Sequence, residues 1–336
     1  MRDERRDDGP RTLAQEFGLS PGQARAVFGA VRAVVEADGA PRERGQRLLE
    51  VAAATLAVGD WRGVPAASPA EVGEALASAG ARRVLVDALM IPACIEGEVT
   101  GAGERAVRTF AAALGVRSHW VDVLGPLRRR RVFAVKRALA PRSPDARRLF
   151  RRTWQEDGIR GGWMVLRFLL GVYRDRALAA RFRALGALPP GTFGRTFFDH
   201  LDGRGLTFPG EAGGIPERMI HHDLMHVVNE YSTEPEGECR LAGFYAGFAD
   251  GDAFTFLVTV LATFQLGLPV SPAVVKPARG AFDPAQVVAA FLRGRRLQVD
   301  VMGRWDYWSL MPLPIEEVRE RLGIAEPAAP SRRASA

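Results

Sequence analysis

Apolar residues recur along this chain at helical spacing, and the strict alternation expected of strands is scarce. The clearest run is Ala24, Val27, Phe28, Val31, Val34 and Val35, which follows Ser20-Pro21-Gly22-Gln23. There a hydroxyl can accept from free backbone N–H groups, proline takes the first helical position and Gln23 can reach back, so a helix is expected to start at that point. Ser68-Pro69-Ala70-Glu71 repeats the device, as does Asp283-Pro284-Ala285-Gln286 before Val287, Val288, Phe291 and Leu292. The longest apolar stretch, Phe254 to Val270, is interrupted by Thr255, Thr259, Thr263, Gln265 and Pro269. It falls short of the ~20 apolar residues that a membrane span needs and predicts a buried helix. The pattern predicts an all-α protein with two helical domains, a small N-terminal bundle and a larger C-terminal domain.

Within the first block a weak repeat is visible. One apolar helix ends at Ala37-Asp38-Gly39 and another at Ile95-Glu96-Gly97, and Ala52 to Trp61 echoes Ala111 to Trp120. The offset is 58 residues at the acid-glycine pair and 59 at the tryptophan. Two helix pairs, each beginning after an acidic turn, predict a bundle. The expected boundaries are a flexible tail over 1–19, a helical domain over 20–139, a basic proline-containing linker over 140–146, a second domain over 147–325 and a disordered tail over 326–336.

Composition sharpens this only in places. A hydrophobic fraction of 47% with 25% charged residues excludes a disordered chain, and two cysteines exclude a disulfide scaffold or a zinc-finger array. The net charge of +7 is concentrated: Arg128 to Arg152 holds ten arginines, one lysine and a single acid, leaving the remainder slightly acidic. A nucleic-acid footprint would spread the basic excess over a folded face, so no nucleic acid is expected as a partner. The confined stretch 128–152 fits instead a solvated helix and linker, or peripheral contact with an anionic membrane. The N-terminus mixes acids and arginines without an apolar core, so a cytoplasmic location is expected, with a peripheral position on the inner face of the cell membrane as its extension.

The chemistry concentrates in one segment. Of the five histidines, His221, His222 and His226 fall within six residues, flanked by apolar residues at helical spacing. On a helix, His222 and His226 share a face one turn apart, and Asp223 lies about 60° round from His226. Two imidazoles and a carboxylate are ligands that a divalent metal takes. A new helix is expected to start near Glu236-Gly237, with Glu238 in its first turn as the fourth candidate ligand. Cys239 beside it reads as a small buried hydrophobe. Glu230, one turn beyond His226, is a candidate extra ligand or base, His221 a competing ligand, and Arg195 a candidate partner for a substrate carboxylate. Trp163 to Tyr173 and Phe254 to Leu268 are candidates to line a cleft for a lipid tail, with plain core packing as the simpler role.

Two resemblances follow from these motifs. The block 20–139, through Ala37-Asp38-Gly39 and Ile95-Glu96-Gly97-Glu98-Val99-Thr100, resembles the tellurite-resistance B-like helical family, which implies a metal role for Asp38, Glu96 and Glu98; helix capping by the same turns is the competing role. The second block resembles the coenzyme Q biosynthesis protein 4 family in His222-Asp223-x-x-His226 followed at Glu238, in Leu188-Pro189-Pro190-Gly191-Thr192-Phe193-Gly194-Arg195, and in Gly303 to Trp308 with Leu313 to Arg319. That resemblance implies a divalent metal, zinc above all, held by His222, Asp223, His226 and Glu238. It implies action on prenylated aromatic quinone precursors, by oxidative decarboxylation or by organising the other enzymes, at a membrane surface. Glu230 and the fused first block depart from the family pattern; protein partners are expected through that first block. Two alternatives stand beside this expectation. One is a non-catalytic lipid-binding scaffold with a structural metal. The other is a His-Asp metal phosphohydrolase using His222-Asp223 with His200 or His119 upstream and Asp250 or Asp252 downstream, although the acidic surroundings of His222 suit a phosphate poorly.

Overall fold

The computed structural model describes residues 11–142, 144–170, 172–249, 253–270, 276–302 and 305–324. Asp250, Asp252, the pair Gly303-Arg304 and the tail 326–336 therefore lie outside the described residues. Among those described there are eighteen α-helices and no β-strand; the extended pairings are two isolated bridges, Thr192–Pro314 and Leu266–Arg279. The protein is all-α. No described helix is long and apolar enough to cross a membrane.

The chain divides into two compact units: Met1–Leu139 with Leu257–Leu292, and Ala140–Phe256 with Arg293–Ala336. The expected N-terminal tail is ordered from residue 11. Thr12 and Gln15 form a reciprocal cap on the helix Leu13–Glu16, and Ala14 is buried in a core with Phe28, Leu49 and Leu56. Ser20 and Gln23 cap Pro21–Val35 in the way the sequence predicts, and Ser68 with Glu71 cap Pro69–Ala75.

The repeat recurs in the caps and in the second helices. Ser20 and Ser78 cap the first helix of each half, and the second helices, Glu43–Thr55 and Gly101–Ala113, have thirteen residues each at the same offset. The acid-glycine turns close through Gly39 (φ 110°) and Gly97 (φ 82°), a backbone region that glycine enters without strain. Their acids do not gather a metal; they cross to the other half. Asp38 accepts from the Thr100 hydroxyl, Glu96 accepts from the Gly45 N–H at 2.9 Å, and Glu98 pairs with Arg42 at 3.0 Å. Each of the three is engaged at the start of a helix, where free N–H groups and the dipole favour carboxylates. In place of the metal role implied for Asp38, Glu96 and Glu98, Glu96 caps a helix, Asp38 holds the Thr100 hydroxyl and Glu98 forms a surface ion pair with Arg42.

The boundary expected at 147–325 differs from the observed division, because Leu257–Leu292 belongs to the first unit. The buried helix expected over Phe254 to Val270 is a helix over Phe254–Val260 that loosens to a π-helical turn over Leu261–Gln265. Leu257, Val258, Leu261, Ala262 and Phe264 are buried, so this stretch is core. Gln265 is fully buried; its amide donates to the Ile95 carbonyl, and its side-chain oxygen accepts from the Phe282 N–H at 3.1 Å. A buried amide must be satisfied on both ends, and both partners lie in the first unit.

In the second unit, the expected linker is a 3-10 turn over Ala140–Arg142, and a helical segment follows over Pro144–Leu169, broken at Gly158 (φ 51°, ψ −129°). Two sequence elements that lie far apart in the chain meet here. Gly191 and Thr192 open the helix Phe193–Asp202. Phe193 and Gly194 donate to the carbonyls of Leu313 and Met311, both at 2.8 Å, and Ile315 donates to Gly191 at 3.1 Å. A side chain at Gly194 would sit 2.7 Å from Leu188 Cδ1 and 3.0 Å from the Met311 carbonyl, so the close approach requires glycine.

Candidate metal centre

The helix His221–Asn229 and the helix Pro235–Phe248 are joined by a turn that begins at Glu230. Glu230 takes the left-handed conformation (φ 56°, ψ 35°) that ends the first helix. Arg319, buried, fixes that end: its Nε donates to the Val228 carbonyl at 2.9 Å and its Nη2 to Glu230 at 2.6 Å. The second helix starts at Pro235, one residue ahead of the expected Glu236, and Gly237 lies on its first turn. A Cβ there would stand 1.8 Å from the Ser232 carbonyl oxygen. Only glycine lets the turn fold this tightly onto the helix, and the next residue is Glu238.

The turn brings three of the expected ligands together. His222, His226 and Glu238 each offer a ligand atom, and these atoms all lie within 4.8 Å of one another. The two imidazole Nε2 atoms are 3.2 Å apart, His226 Nε2 is 3.3 Å from Glu238 Oε1, and His222 Nε2 is 3.6 Å from Glu238 Oε2. The tautomer of His226 follows from its other nitrogen. Nδ1 lies 3.1 Å from the Tyr231 carbonyl, which can only accept, so Nδ1 carries the proton and neutral His226 presents a lone pair at Nε2. This is the outer hydrogen bond that metal-binding histidines usually have. The three side chains are graded in depth: 1% of the His226 side chain is exposed, 16% of Glu238 and 45% of His222. The cluster thus opens to solvent on the His222 side.

Electrostatics favour a cation here. Burial pushes the Glu238 carboxyl up, but when the two imidazoles are protonated, hydrogen bonds from His222 and His226 and their charge outweigh it and hold the group down at about 2; a bound cation would take the place of those protons. Its place in the first helical turn adds the favourable end of the helix dipole. Asp223 is not in the three-residue group. It lies close enough for burial, assisted by the Glu238 charge, to raise its carboxyl against the opposing imidazoles.

The remaining expected residues go elsewhere. Glu230 is held by Arg319. Arg195 donates to Asp199 at 2.8 Å and to the Gly186 carbonyl at 3.1 Å, so it is a structural ion pair at the start of its helix. His221 is outside the group; its ring meets Tyr245 edge-on and its carbonyl accepts from the Tyr245 hydroxyl at 3.3 Å. Cys239 is fully buried, and burial raises its thiol, in keeping with a packing role. Of the two upstream histidines that the phosphohydrolase alternative offered, His200 is the one that lies beside this site. Its ring stacks on His226 with centroids 6.2 Å apart, Arg204 donates to its Nδ1 at 3.2 Å, and its buried Nε2 has no hydrogen-bond partner. Burial, then the charges of Arg204 and His226, lower it to about 4.

Comparison with known proteins adds no assignment: no family model matches the chain, and no curated protein matches it.

Proposed function

We propose that this chain is a zinc-dependent enzyme acting on a polyprenylated aromatic acid of quinone biosynthesis. The observation that carries the metal is the triangle of His222, His226 and Glu238. Two imidazole nitrogens and one carboxylate, with one donor atom each within 4.8 Å of one another, are a donor set that catalytic zinc takes, and this supports zinc. Three protein ligands with an exposed His222 leave a position for a substrate, as catalytic zinc sites do, and this favours catalysis over a sealed structural ion.

The substrate class rests on the resemblance carried by 188–195, 222–238 and 303–319; the backbone pairing of Phe193 and Gly194 with Met311 and Leu313 supports reading those elements as one unit. Bound zinc would supply Lewis acidity to a substrate carboxylate oxygen. His226, oriented by the Tyr231 carbonyl, and Glu238, kept ionised, would hold the ion. Asp223 would stand beside the ion as a neighbouring carboxyl group outside the three ligands. Oxidative decarboxylation replaces the ring carbon's bond to CO2H by a bond to OH and releases CO2. It balances with dioxygen taking two electrons to hydrogen peroxide and water supplying the oxygen. The first unit would then serve as the docking module for partner enzymes, with the protein at the inner face of the cell membrane.

Elemental analysis of untagged protein, with mass spectrometry of co-purified lipid, tests this. One zinc per chain and a prenylated aromatic acid are expected. His222→Ala, at a half-exposed position, should lose zinc and turnover with the helical circular dichroism intact; His226→Ala should lose both and also some stability. If zinc removal from the wild type unfolds the chain without a turnover to lose, the ion is structural and the protein a lipid-binding scaffold.

A further inference from the structure

The helical segment after the Gly158 break has two apolar faces, and only one of them is covered. At about 100° per residue, Gly161, Met164, Val165 and Phe168 share one side. Gly161 is buried and the other three are half-buried. Ile159, Trp163, Leu166 and Leu170 share the opposite side within an arc of about 60°. Their exposures are 85%, 61%, 43% and 65%, and Trp154 (63%) and Val172 (55%) extend the patch at either end. The sequence expectation that Trp163 to Tyr173 lines a cleft or packs in the core is thus corrected for this face. An exposed apolar patch of this extent ordinarily marks a contact surface.

We propose that this face is a membrane-surface anchor that lies in the headgroup layer of an anionic bilayer. Three observations choose the occupant. The arc carries tryptophan at its centre, a residue that settles at the water–hydrocarbon boundary. The surrounding chain from Arg142 to Arg176 has nine arginines against four acids, with Arg151, Arg174 and Arg176 exposed. That charge attracts phosphate headgroups and repels a second copy of the same face. The face runs twelve residues from Ile159 to Leu170, about 18 Å of helix, which is too short to cross and long enough to lie flat. The contact goes beyond the basic stretch 128–152 by adding apolar insertion, and it does not depend on the metal site.

The test is flotation of the full-length protein with vesicles of phosphatidylcholine alone and of phosphatidylcholine mixed equally with phosphatidylglycerol, at low and high salt. Binding to the mixed vesicles should exceed binding to the neutral ones by about tenfold or more and weaken with salt. The combined variant Trp163→Ser/Leu166→Ser should lose most of that binding while keeping wild-type circular dichroism and zinc content, since both side chains are exposed. Trp163→Phe should bind and lose the part of the fluorescence that brominated lipid quenches. Unchanged binding in the double variant overturns the proposal, because charge alone would then suffice. A concentration-dependent dimer that the double variant abolishes overturns it as well, since the face would belong to a second copy.

Discussion

Replacing Gly237 by alanine adds one methyl group where the structure has least room for it. The new Cβ would lie 1.8 Å from the Ser232 carbonyl oxygen and 2.6 Å from both its carbon and the Ser232 Oγ. Ordinary contact begins near 3.4 Å, so turn and helix would have to part by about 1.6 Å, and the obstacle is backbone that no rotamer change removes. Overpacking of this kind costs about 1–3 kcal/mol, and the backbone contact places this case at the upper end. The adjacent residue is Glu238, and metal bonds tolerate displacements of about 0.2 Å. Gly237→Ala should therefore lower the urea midpoint and reduce zinc affinity, read by chelator competition, by about a hundredfold or more. Gly22→Ala is the control: nothing lies within 4 Å of its Cβ, and it should be neutral or slightly stabilising. Zinc affinity within twofold of wild type in Gly237→Ala would refute the claim that this glycine sets the carboxylate in place.

Three further outcomes are expected. Arg319→Leu should cost about 2–4 kcal/mol in urea unfolding, because a buried guanidinium capping a helix end is lost, while zinc stoichiometry stays at one; loss of zinc would mean that Glu230 belongs to the site after all. Asp223→Asn should weaken zinc by about tenfold at most, since Asp223 stands beside the three-ligand group; a loss equal to that of His222→Ala would make it a ligand. Burial raises Glu104, but hydrogen bonds from Arg128 and Arg108 and their charges outweigh it and lower the carboxyl below its ordinary 4.5. A carboxyl with a depressed folded value contributes stability that is present above 4.5 and is lost as pH falls through the folded value. Glu104→Gln should thus flatten the acid limb below pH 4.5 in thermal unfolding, and an unchanged limb would contradict the pairing.

The parts that sequence disclosed were those with local causes. Serine and threonine caps, apolar stripes of helical period and the one-turn spacing of His222 and His226 each act within a few residues, so Ser20, Ser68 and the helix His221–Asn229 appear where expected. Glu238 was legible because the turn before it is short. Non-local partners were not legible. Nothing near Glu230 in the chain announces that Arg319 holds it, whereas the pairing of Arg195 with Asp199, one turn on, was open to a local reading. His200 is twenty-six residues before His226 and reaches it only through helix packing. Leu257–Leu292 belongs to the first unit through contacts distant in sequence, among them Gln265 with Ile95 across 170 positions and Arg130 with the Leu266 carbonyl, which no periodicity encodes.

The crossed acidic turns make each half of the first unit depend on the other. Asp38 reaches the start of the helix Gly101–Ala113, and Glu96 reaches the start of the equivalent helix Glu43–Thr55. Reciprocal contacts of this kind are what two identical molecules make about a twofold axis. Here both partners belong to one polypeptide, so the pairing does not vary with protein concentration. Threonine at position 100 and arginine at position 42 fill corresponding places with different chemistry, as two identical molecules could not.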